Sequence, residues 1–409
     1  MNKFLKEFKD RGFFYQCTNE DELSKLLEKE KINGYIGFDC TAESLHVGSL
    51  LQIMCLRLLQ KHGHRPIVLL GGGTTRIGDP SGKDKTRTIL SEKEIEKNIE
   101  NIEKILKIFL DIKDPKTKPI FVNNYSWLKG LNYISFLRDI GKHFTINKML
   151  SFDSVKTRLE REQSLSYMEF NYMILQAYDF LELNKKENCV LQMGGSDQWG
   201  NIINGVDLIK RHSNKQAYGL TTPLITLASG AKMGKTEAGA VWLDKKFLSS
   251  YDYWQFWRNI DDRDVLKFIK IFTDTNIDEI EKIKDNNINE LKILLANRAT
   301  KMLHGEQEAK NSEETAKQTF TDNSLGDNLP SVSMSEKELK GKMTIIDLII
   351  MSKLEGSKSE VRRLIKGNGI RLNNQIVIDE KLVITKDLFQ DNLLKLSLGK
   401  KRHIKVKLN

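Results

Sequence analysis

The sequence lacks the features that mark membrane and secreted proteins. None of its apolar runs approaches the roughly 18 residues of a membrane-spanning helix, which excludes an integral membrane protein. The first twelve residues mix charged and aromatic side chains and contain no long apolar segment, so no secretion signal is expected. We therefore predict a cytoplasmic protein with no membrane partner.

Cysteine is also scarce, with four residues in a chain of 409. Cys17, Cys40, Cys55 and Cys189 show no CxxC spacing and have no histidine pair nearby. Zinc sites and disulfide frameworks depend on such spacings, so we predict neither, and no metal site at all. Buried free thiols are the expectation.

Basic residues outnumber acidic ones, 65 to 55, and the formal net charge is +10. The excess is uneven, because residues 341–409 hold 15 Lys and Arg against 7 Asp and Glu, a net of +8. A small basic domain beside a near-neutral body predicts binding to a polyanion, since neutralising phosphates releases counterions. The alternative is an ordinary solvated surface in a lysine-rich chain.

The first half of the chain alternates short apolar runs with helical patterns. Runs at 35–39, 67–70 and 190–193 each end in a polar or glycine-rich turn, and helices are expected at 50–59, 92–109 and 166–181. This alternation predicts an α/β fold with a doubly wound parallel sheet, in which ligands bind beyond the carboxyl ends of the strands.

The length favours two to four domains. After one more strand-like run at 224–227, the chain reads as helices up to residue 320, and a polar stretch follows. We predict a Rossmann-like catalytic domain at 1–222, a helical domain at 223–325, a linker at 326–340 and a small α+β domain at 341–409.

A first candidate site lies where a strand leads into a helix, at His46-Val-Gly48-Ser49. Gly48 leaves room for a ligand, and the N–H groups at the start of a helix attract anions. Chance, or simple helix capping, is the alternative.

A second candidate is the glycine-rich turn at 71–83, followed by Arg87. Lys83 and Arg87 suit a polyphosphate, although the turn matches neither G-x-G-x-x-G nor a Walker A motif. A plain surface turn is the alternative.

A third candidate is the helix that a Ser166–Glu169 capping box begins. Tyr172, Gln176 and Asp179 follow at i, i+4 and i+7, so they share one face among apolar neighbours. They form either a pocket for a polar small molecule or an internal hydrogen-bond network.

Two further segments complete the set. Asp197 and Gln198, after a predicted strand, suit a ribose hydroxyl or an amino group, unless Asp197 merely caps the next helix. Lys232 and Lys235, three apart in a Gly- and Ala-rich loop, suit transient contact with a triphosphate.

In this order and spacing, the five segments resemble the class I tyrosyl-tRNA synthetases of bacterial type over essentially the whole chain. His46-Val-Gly48-Ser49 is similar to the HIGH signature and Lys232-Met-Gly-Lys-Thr236 to the KMSKS loop. Residues 341–409 resemble an S4-type RNA-binding domain.

The resemblance implies roles for individual residues. It places the tyrosine substrate against Tyr35, Asp79, Tyr172, Gln176, Asp179 and Gln198. It places ATP against Gly37, Asp39, His46, Gly48, Gly195, Asp197 and Lys235. It assigns catalysis to Thr41, His46, Ser49, Lys83, Arg87, Lys232, Lys235 and Thr236. It assigns RNA binding to Arg362, Arg363, Lys366 and Arg371.

The implied reaction joins L-tyrosine to tRNA(Tyr) through tyrosyl-adenylate, with ATP and its Mg²⁺ as substrate. A homodimer is implied through the segment 136–145, for which an ordinary core helix is the alternative. Ser49, Ile36 and Cys40 depart from the family, which usually has His, Cys and Pro there.

Two other functions were weighed. One is a tryptophan-specific relative, against which Tyr35, Gln176 and Asp179 favour a phenol. The other is an RNA-binding protein on a former synthetase scaffold, which would have no use for Lys232 and Lys235.

Overall fold

The computed structural model describes residues 2–80, 90–231, 233–236, 239–321, 329–340, 342–399 and 402–409. These residues form two compact units. The first comprises Met1–Lys235, Trp242–Asp244 and Asp261–Asn286, and the second Thr236–Val241, Lys245–Ile260 and Asn287–Asn409.

Strands and helices are numbered in chain order. The strands are β1 (Gln16–Cys17), β2 (Asn33–Phe38), β3 (Arg65–Leu70), β4 (Ile120–Asn123), β5 (Cys189–Gly195), β6 (Tyr218–Thr222), β7 (Lys235–Thr236), β8 (Gly239–Ala240), β9 (Ser331–Met334), β10 (Ile370–Leu372), β11 (Gln375–Ile376), β12 (Leu393–Leu398) and β13 (Arg402–Leu408). The helices are α1 (Lys3–Asp10), α2 (Glu20–Lys29), α3 (Val47–Lys61), α4 (Gly72–Thr75), α5 (Glu92–Phe109), α6 (Tyr125–Leu128), α7 (Tyr133–Asp139), α8 (Ile146–Leu150), α9 (Asp153–Glu160), α10 (Tyr167–Glu187), α11 (Trp199–Ser213), α12 (Ser250–Arg258), α13 (Asp262–Phe272), α14 (Ile277–Ile283), α15 (Ile288–His304), α16 (Glu306–Thr321), α17 (Glu336–Lys340), α18 (Ile345–Met351) and α19 (Lys358–Lys366).

The first unit is built on a six-stranded sheet of order β1-β6-β5-β2-β3-β4. β6, β5, β2, β3 and β4 run parallel, and β1 joins the β6 edge antiparallel. From β2 the chain winds towards β4 on one side, and β5 and β6 lie on the other. The point where the winding reverses, between β2 and β5, is where such sheets bind ligands. The predicted doubly wound parallel sheet is confirmed.

Local sequence signals explain the helices of this unit. Ser91 and Glu94 form a capping box at the start of α5, and Ser166 and Glu169 form the one predicted for α10. Each box satisfies N–H groups that the first turn leaves without partners. Three cysteines, Cys40, Cys55 and Cys189, are buried as expected, and Cys17 is partly exposed.

The strand expected at 224–227 is wrong. After Pro223, these residues enter a turn in which the Leu227 N–H donates to the Ala231 carbonyl at 2.8 Å. The Gly230 N–H donates to the Leu227 carbonyl at 2.8 Å, so the chain reverses within a few residues. Backbone groups that bond within such a turn are not available to the neighbouring sheet.

The second unit contains helices α12, α15 and α16, as expected for a helical region. Trp254 and Trp257 of α12 are buried, and the Trp254 indole N–H donates to Asn297 of α15 at 2.7 Å. The helix α13, also predicted, belongs to the first unit instead.

The C-terminal part of the second unit is a five-stranded sheet of order β11-β10-β12-β13-β9, packed against α18 and α19. β9 runs parallel to β13 and brings Met334 into the apolar core. The linker predicted at 326–340 is therefore wrong for 331–340, which form β9 and α17. The sequence alone did not indicate β9, because its apolar pattern consists of only two residues, Val332 and Met334.

Among the residues that the structure describes, no helix is long and apolar enough to cross a membrane.

Candidate active site

A cavity of about 340 Å³ opens at the carboxyl ends of β2 and β5. Its lining includes twelve of the predicted site residues: Tyr35, Gly37, Asp39, Gly48, Ser49, Asp79, Tyr172, Gln176, Asp179, Gly195, Asp197 and Gln198. The sheet therefore brings together residues that lie up to 163 positions apart in the chain. All six residues predicted for tyrosine and five of the seven predicted for ATP line this cavity; His46 and Lys235 are not in its lining.

Asp179 is a buried carboxylate held by two donors. The Asn124 amide donates to one oxygen at 2.9 Å, and the Trp127 indole N–H donates to the other at 2.8 Å. Burial raises the pKa of Asp179 to about 7, against the lowering effect of these two hydrogen bonds. Asn124 is itself fully buried and begins α6 directly after β4.

Tyr35 supplies a hydroxyl group with no partner among the described residues. Its oxygen is buried. The side-chain oxygens of Gln52 and Gln192 are also buried and have no hydrogen-bond partner within the described part of the chain. All three residues line the same cavity. Burial, and then the charge of Asp179, raise the pKa of Tyr35 well above its ordinary value. Buried polar atoms without partners are costly, so these atoms point to a polar ligand.

Tyr172 is held by the carboxylate that ends β2. Its hydroxyl donates to Asp39 at 2.9 Å, and the Thr74 hydroxyl donates to the other Asp39 oxygen at 2.8 Å. Burial and the neighbouring Asp39 raise the pKa of Tyr172 well above its usual range, which keeps it a neutral donor. The polar face of α10 is thus partly an internal network and partly a pocket wall.

A chain of amides and a carboxylate lines another wall. The Gln198 amide donates to Asp79 at 2.8 Å, and the Asn201 amide donates to Gln198 at 3.1 Å and to Gln176 at 3.0 Å. Asp79, one of the residues predicted to bind tyrosine, is thus connected to Gln176 through Gln198 and Asn201. Asp197 does not cap α11, whose N-cap is Gln198.

His46 is the N-cap of α3. Its Nδ1 accepts the Gly48 N–H at 3.0 Å, so Nε2 is the ring nitrogen that carries the donor proton in the neutral form. A Cβ atom on Gly48 would lie 2.9 Å from the Met233 carbonyl oxygen, and one on Gly234 would lie 2.7 Å from the Gly48 nitrogen. The HIGH-like and KMSKS-like segments therefore contact each other at Gly48 and Gly234. Gly234 also has a φ of +95°, which favours glycine.

The remaining predicted residues lie elsewhere or beyond the described chain. Thr41 is exposed and is not part of the cavity lining. Lys83, Arg87 and Lys232 lie outside the described residues, and Lys235 and Thr236 are described only as backbone in β7. Their roles stay predictions.

The predicted RNA-binding residues are all exposed in the C-terminal part. Val361 and Ile365 of α19 are buried, whereas Arg362, Arg363 and Lys366 on the same helix are exposed. Arg371 of β10 is exposed as well.

Sequence reasoning missed Asn124, Trp127 and Asn201. Asn124 follows a strand end, the same signal that revealed Asp39 and Asp197, but β4 itself was not recognised in the sequence. Nothing in the sequence links Trp127 to Asp179, 52 positions away.

The comparisons with known proteins agree with this geometry. The family model "tRNA synthetases class I (W and Y)" matches residues 27–321, and "Tyrosine--tRNA ligase SYY-like C-terminal domain" matches residues 321–406. The chain is 82% identical over 408 residues to the tyrosine–tRNA ligase of Pelagibacter ubique, with 100% of both chains covered. The chain belongs to the tyrosine–tRNA ligase family.

Further relatives match at lower identity. The tyrosine–tRNA ligase of Rickettsia rickettsii is 51% identical, with 99% of this chain and 100% of that protein covered. A C-terminally truncated mitochondrial tyrosyl-tRNA synthetase of Aspergillus nidulans matches with a TM-score of 0.70 at 30% identity, covering 78% of this chain and 94% of that one. The tyrosyl-tRNA synthetase of Archaeoglobus fulgidus shares the fold, with a TM-score of 0.57 at 16% identity, covering 76% and 99%. The predicted family, fold class and enzyme class are confirmed.

Proposed function

We propose that this chain activates L-tyrosine with ATP and transfers the tyrosyl group to the 3′ end of tRNA(Tyr). One observation carries the choice of amino acid: the Asp179 carboxylate and the Tyr35 hydroxyl, which has no hydrogen-bond partner among the described residues, line the same cavity. A phenol O–H donated to Asp179, with the Tyr35 hydroxyl donating to the phenol oxygen, satisfies both groups. An indole has no oxygen to accept from Tyr35, which disfavours the tryptophan-specific alternative.

The other end of the substrate meets the amide wall. An α-ammonium group lies against Asp79 and the side-chain oxygens of Gln176 and Gln198 in this arrangement. Since these groups already bond to one another or to Asn201, the substrate enters a wall whose orientation is set in advance. Such preorganisation lowers the entropy cost of placing the carboxylate.

In the first step, a tyrosine carboxylate oxygen attacks the α-phosphorus of ATP and the bond to pyrophosphate breaks. The tRNA 3′-terminal ribose hydroxyl then attacks the tyrosyl carbonyl, and AMP leaves. Neither step needs a protein nucleophile, so this chain contributes placement and stabilisation of charge on phosphate. The His46 Nε2–H and the Ser49 hydroxyl are the described donors for that charge, and Lys83, Arg87, Lys232 and Lys235 are the predicted cations.

Mg²⁺ enters as part of the MgATP substrate, because it binds mainly through phosphate oxygens and water. Among the described residues, no three His, Cys, Asp or Glu side chains cluster as a metal site. Asp39, a carboxylate of the cavity lining, already accepts hydrogen bonds from Tyr172 and Thr74.

The exposed basic residues of α19 and β10 support tRNA binding by the C-terminal part, mainly through the phosphate backbone. A former synthetase scaffold that only binds RNA is disfavoured, because the cavity retains its polar lining. A cytoplasmic location is part of this proposal.

A homodimer is the proposed assembly. The chain from α7 to α10 exposes a set of large apolar side chains: Tyr133, Ile134, Leu137, Ile146, Leu150, Leu159, Tyr167 and Met168. Within the segment 136–145, Phe136 packs against Tyr178 at 5.3 Å between ring centroids, whereas Leu137 is exposed. Exposed apolar surface of this extent favours association. Replacing Ile134 by Asp should shift the sedimenting species from dimer to monomer, and a wild-type monomer would contradict the proposal.

ATP–pyrophosphate exchange without tRNA tests the proposed reaction. Tyrosine, tryptophan and phenylalanine are supplied separately to the purified protein. Exchange with tyrosine alone is expected, and it would also show that Ser49 suffices where the family has histidine. Exchange with none of the three would favour the RNA-binding alternative.

A further inference from the structure

The loop between β6 and β7 is a closed turn with two arms. Its first arm is the segment 225–228, and the described part of its second arm is Ala231, Met233 and Gly234, of which Met233 and Gly234 belong to the KMSKS-like motif. The Met233 N–H donates to the Ile225 carbonyl at 3.1 Å, and the Leu227 N–H donates to the Ala231 carbonyl at 2.8 Å. The position of the second arm is therefore set by that of the first.

The second arm lies against the start of α3. Met233 is buried, and its carbonyl oxygen and Gly234 are the groups that approach Gly48 and His46 closely. Because these groups lie so close together, even a small shift of the loop changes the position of this arm relative to the start of α3. The first arm must consequently be well anchored.

Two side chains of α13 anchor the first arm. The Ala228 N–H donates to Asp264 Oδ2 at 2.7 Å, and the Lys267 ammonium donates to the Thr226 carbonyl at 2.9 Å. The same ammonium bonds Asp264 Oδ1 at 3.1 Å. The backbone is thus held on both sides of Leu227 by one ion pair.

Helix capping does not account for Asp264. The N-cap of α13 is Asp261, whose side chain accepts the Arg263 N–H. Asp264 lies in the first turn, and its side chain is only 4% exposed. A buried carboxylate is costly unless it is paired and hydrogen-bonded, and here the pairing is to the loop and to Lys267.

Helix α13 is in turn fixed to α3. Arg11, which is buried, follows α1 and donates to the carbonyls of Lys270, Thr273 and Thr275 at the end of α13, at 2.7, 3.0 and 2.9 Å. Glu7 of α1 binds Lys61 and His62 at the end of α3, at 2.7 and 2.8 Å. The anchor and the helix that His46 begins are therefore parts of one connected framework.

We propose that Asp264 and Lys267 are positioning residues for adenylate formation, which set the place of the KMSKS-like arm over the start of α3. The proposal rests on the proposed function, because it concerns the ATP-dependent step of that reaction. Neither residue lines the cavity that holds the tyrosine substrate. Their loss should slow the chemical step and leave tyrosine binding intact.

The test uses the full chain with Asp264→Ala, Asp264→Asn and Lys267→Met, measured beside wild type. Lys284→Met is the matched control, since Lys284 also pairs at i,i+3, with Glu281 at 3.1 Å, but makes no hydrogen bond to the described residues of the loop. The readouts are tyrosine affinity without ATP, kcat and KM for ATP in pyrophosphate exchange, and the unfolding temperature.

Asp264→Ala is expected to lower kcat about 10- to 100-fold, the cost of misplacing a catalytic element by about 1 Å, with tyrosine affinity unchanged. Lys267→Met should act in the same direction and less strongly. Asp264→Asn retains an acceptor for the Ala228 N–H and should recover part of the rate. Lys284→Met should match wild type.

Lys267 is partly exposed, so its replacement does not threaten folding even if Asp264→Ala proves unstable. A wild-type kcat in Lys267→Met would overturn the proposal, and so would a parallel loss of tyrosine affinity and kcat in these variants. A wild-type protein without exchange activity would instead contradict the proposed function, and tyrosine affinity distinguishes the two failures.

Discussion

Trp127 donates its indole N–H to Asp179 at 2.8 Å and thereby opposes the effect of burial on that carboxylate. The structure leaves the pKa of Asp179 at about 7, so the group is poised between its neutral and ionised forms near neutral pH. The ionised form accepts the substrate phenol. The pH dependence of substrate recognition is therefore set in part by Trp127, which need not touch the substrate.

Tyrosine affinity should fall as the pH drops through about 7, because protonation removes the acceptor at Asp179. In Trp127→Phe one lowering hydrogen bond is lost, the pKa rises further, and the midpoint of the profile should move to higher pH. Titration of tyrosine binding between pH 6 and 9 measures this midpoint. Tyr125→Phe, a neighbour on α6 that leaves Asp179 untouched, should keep the wild-type profile, and an unmoved midpoint in Trp127→Phe would contradict the assignment.

Tyr35→Phe should weaken tyrosine binding without destabilising the protein. The hydroxyl has no partner in the described protein, so its removal should leave the unfolding temperature unchanged or raise it. Tyrosine affinity should fall about 5- to 10-fold through the lost hydrogen bond, whereas phenylalanine affinity should not fall. Tyr172→Phe is the comparison, because its hydroxyl already bonds Asp39 and its loss should destabilise the protein. Equal stability losses in the two variants would argue against an open donor at Tyr35.

Asp179→Ala should abolish most of the discrimination between tyrosine and phenylalanine. The carboxylate is the buried charged acceptor for the phenol, and a hydrogen bond to a charged group is worth about 1.5–3 kcal/mol, or roughly 10- to 150-fold in selectivity. Exchange rates with each amino acid give the ratio directly. Selectivity equal to wild type would refute the assigned role.

Glu7 should make the free energy of unfolding depend on pH in the acid range. Burial alone would raise its pKa, but hydrogen bonds from Lys61, His62 and Arg11 outweigh it and lower the pKa to about 2. Ionised Glu7 therefore stabilises the folded protein. This stabilisation is fully present above pH 4.5, the ordinary pKa of a glutamate, and is lost as the pH falls towards 2. Glu7→Gln should lower the free energy of unfolding by about 1–3 kcal/mol at pH 7, with a smaller difference at pH 3. Denaturant unfolding at both pH values checks this, with the exposed Glu28→Gln as control, and a difference independent of pH would contradict the link.

Charge reversal on α19 should weaken tRNA charging and spare amino acid activation. Arg362→Glu with Lys366→Glu removes two exposed cations, so the salt dependence of tRNA binding should become shallower. Lys25→Glu with Lys29→Glu on α2 makes the same change in net charge as a control. Equal losses of charging and pyrophosphate exchange would refute the division of roles. A truncation should begin before β9, because removing only 341–409 would take β13 away from its partner strand.

Local patterns were enough to predict much of the fold and the site. A helical pattern predicted α5 with its bounds, and the Ser166–Glu169 capping box predicted the start of α10. The spacing of Tyr172, Gln176 and Asp179 predicted a shared polar face. These signals act within a few turns of one helix. The cavity then follows from the rule that parallel strands present their carboxyl ends at one edge.

What the sequence did not reveal depends on distant partners. Asn124 and Trp127 gain their meaning only when α6 packs beside Asp179, more than 50 positions along the chain. β9 is recognisable only through its pairing with β13, and the segment 224–227 is kept out of the sheet by hydrogen bonds within its own turn. In the sequence, Asp264 is an ordinary acidic residue in the first turn of a helix. Only the structure shows that it accepts a hydrogen bond from Ala228 in the loop between β6 and β7.

The buried cysteines have a consequence for redox chemistry. Burial, and then the nearby Asp39, raise the pKa of Cys40 to about 12, and burial raises the pKa of Cys55 and Cys189 as well. Peroxides and alkylating agents attack the thiolate, of which almost none is present at neutral pH in these positions. The thiol beside Asp39 is thereby kept unreactive towards peroxides and alkylating agents at neutral pH.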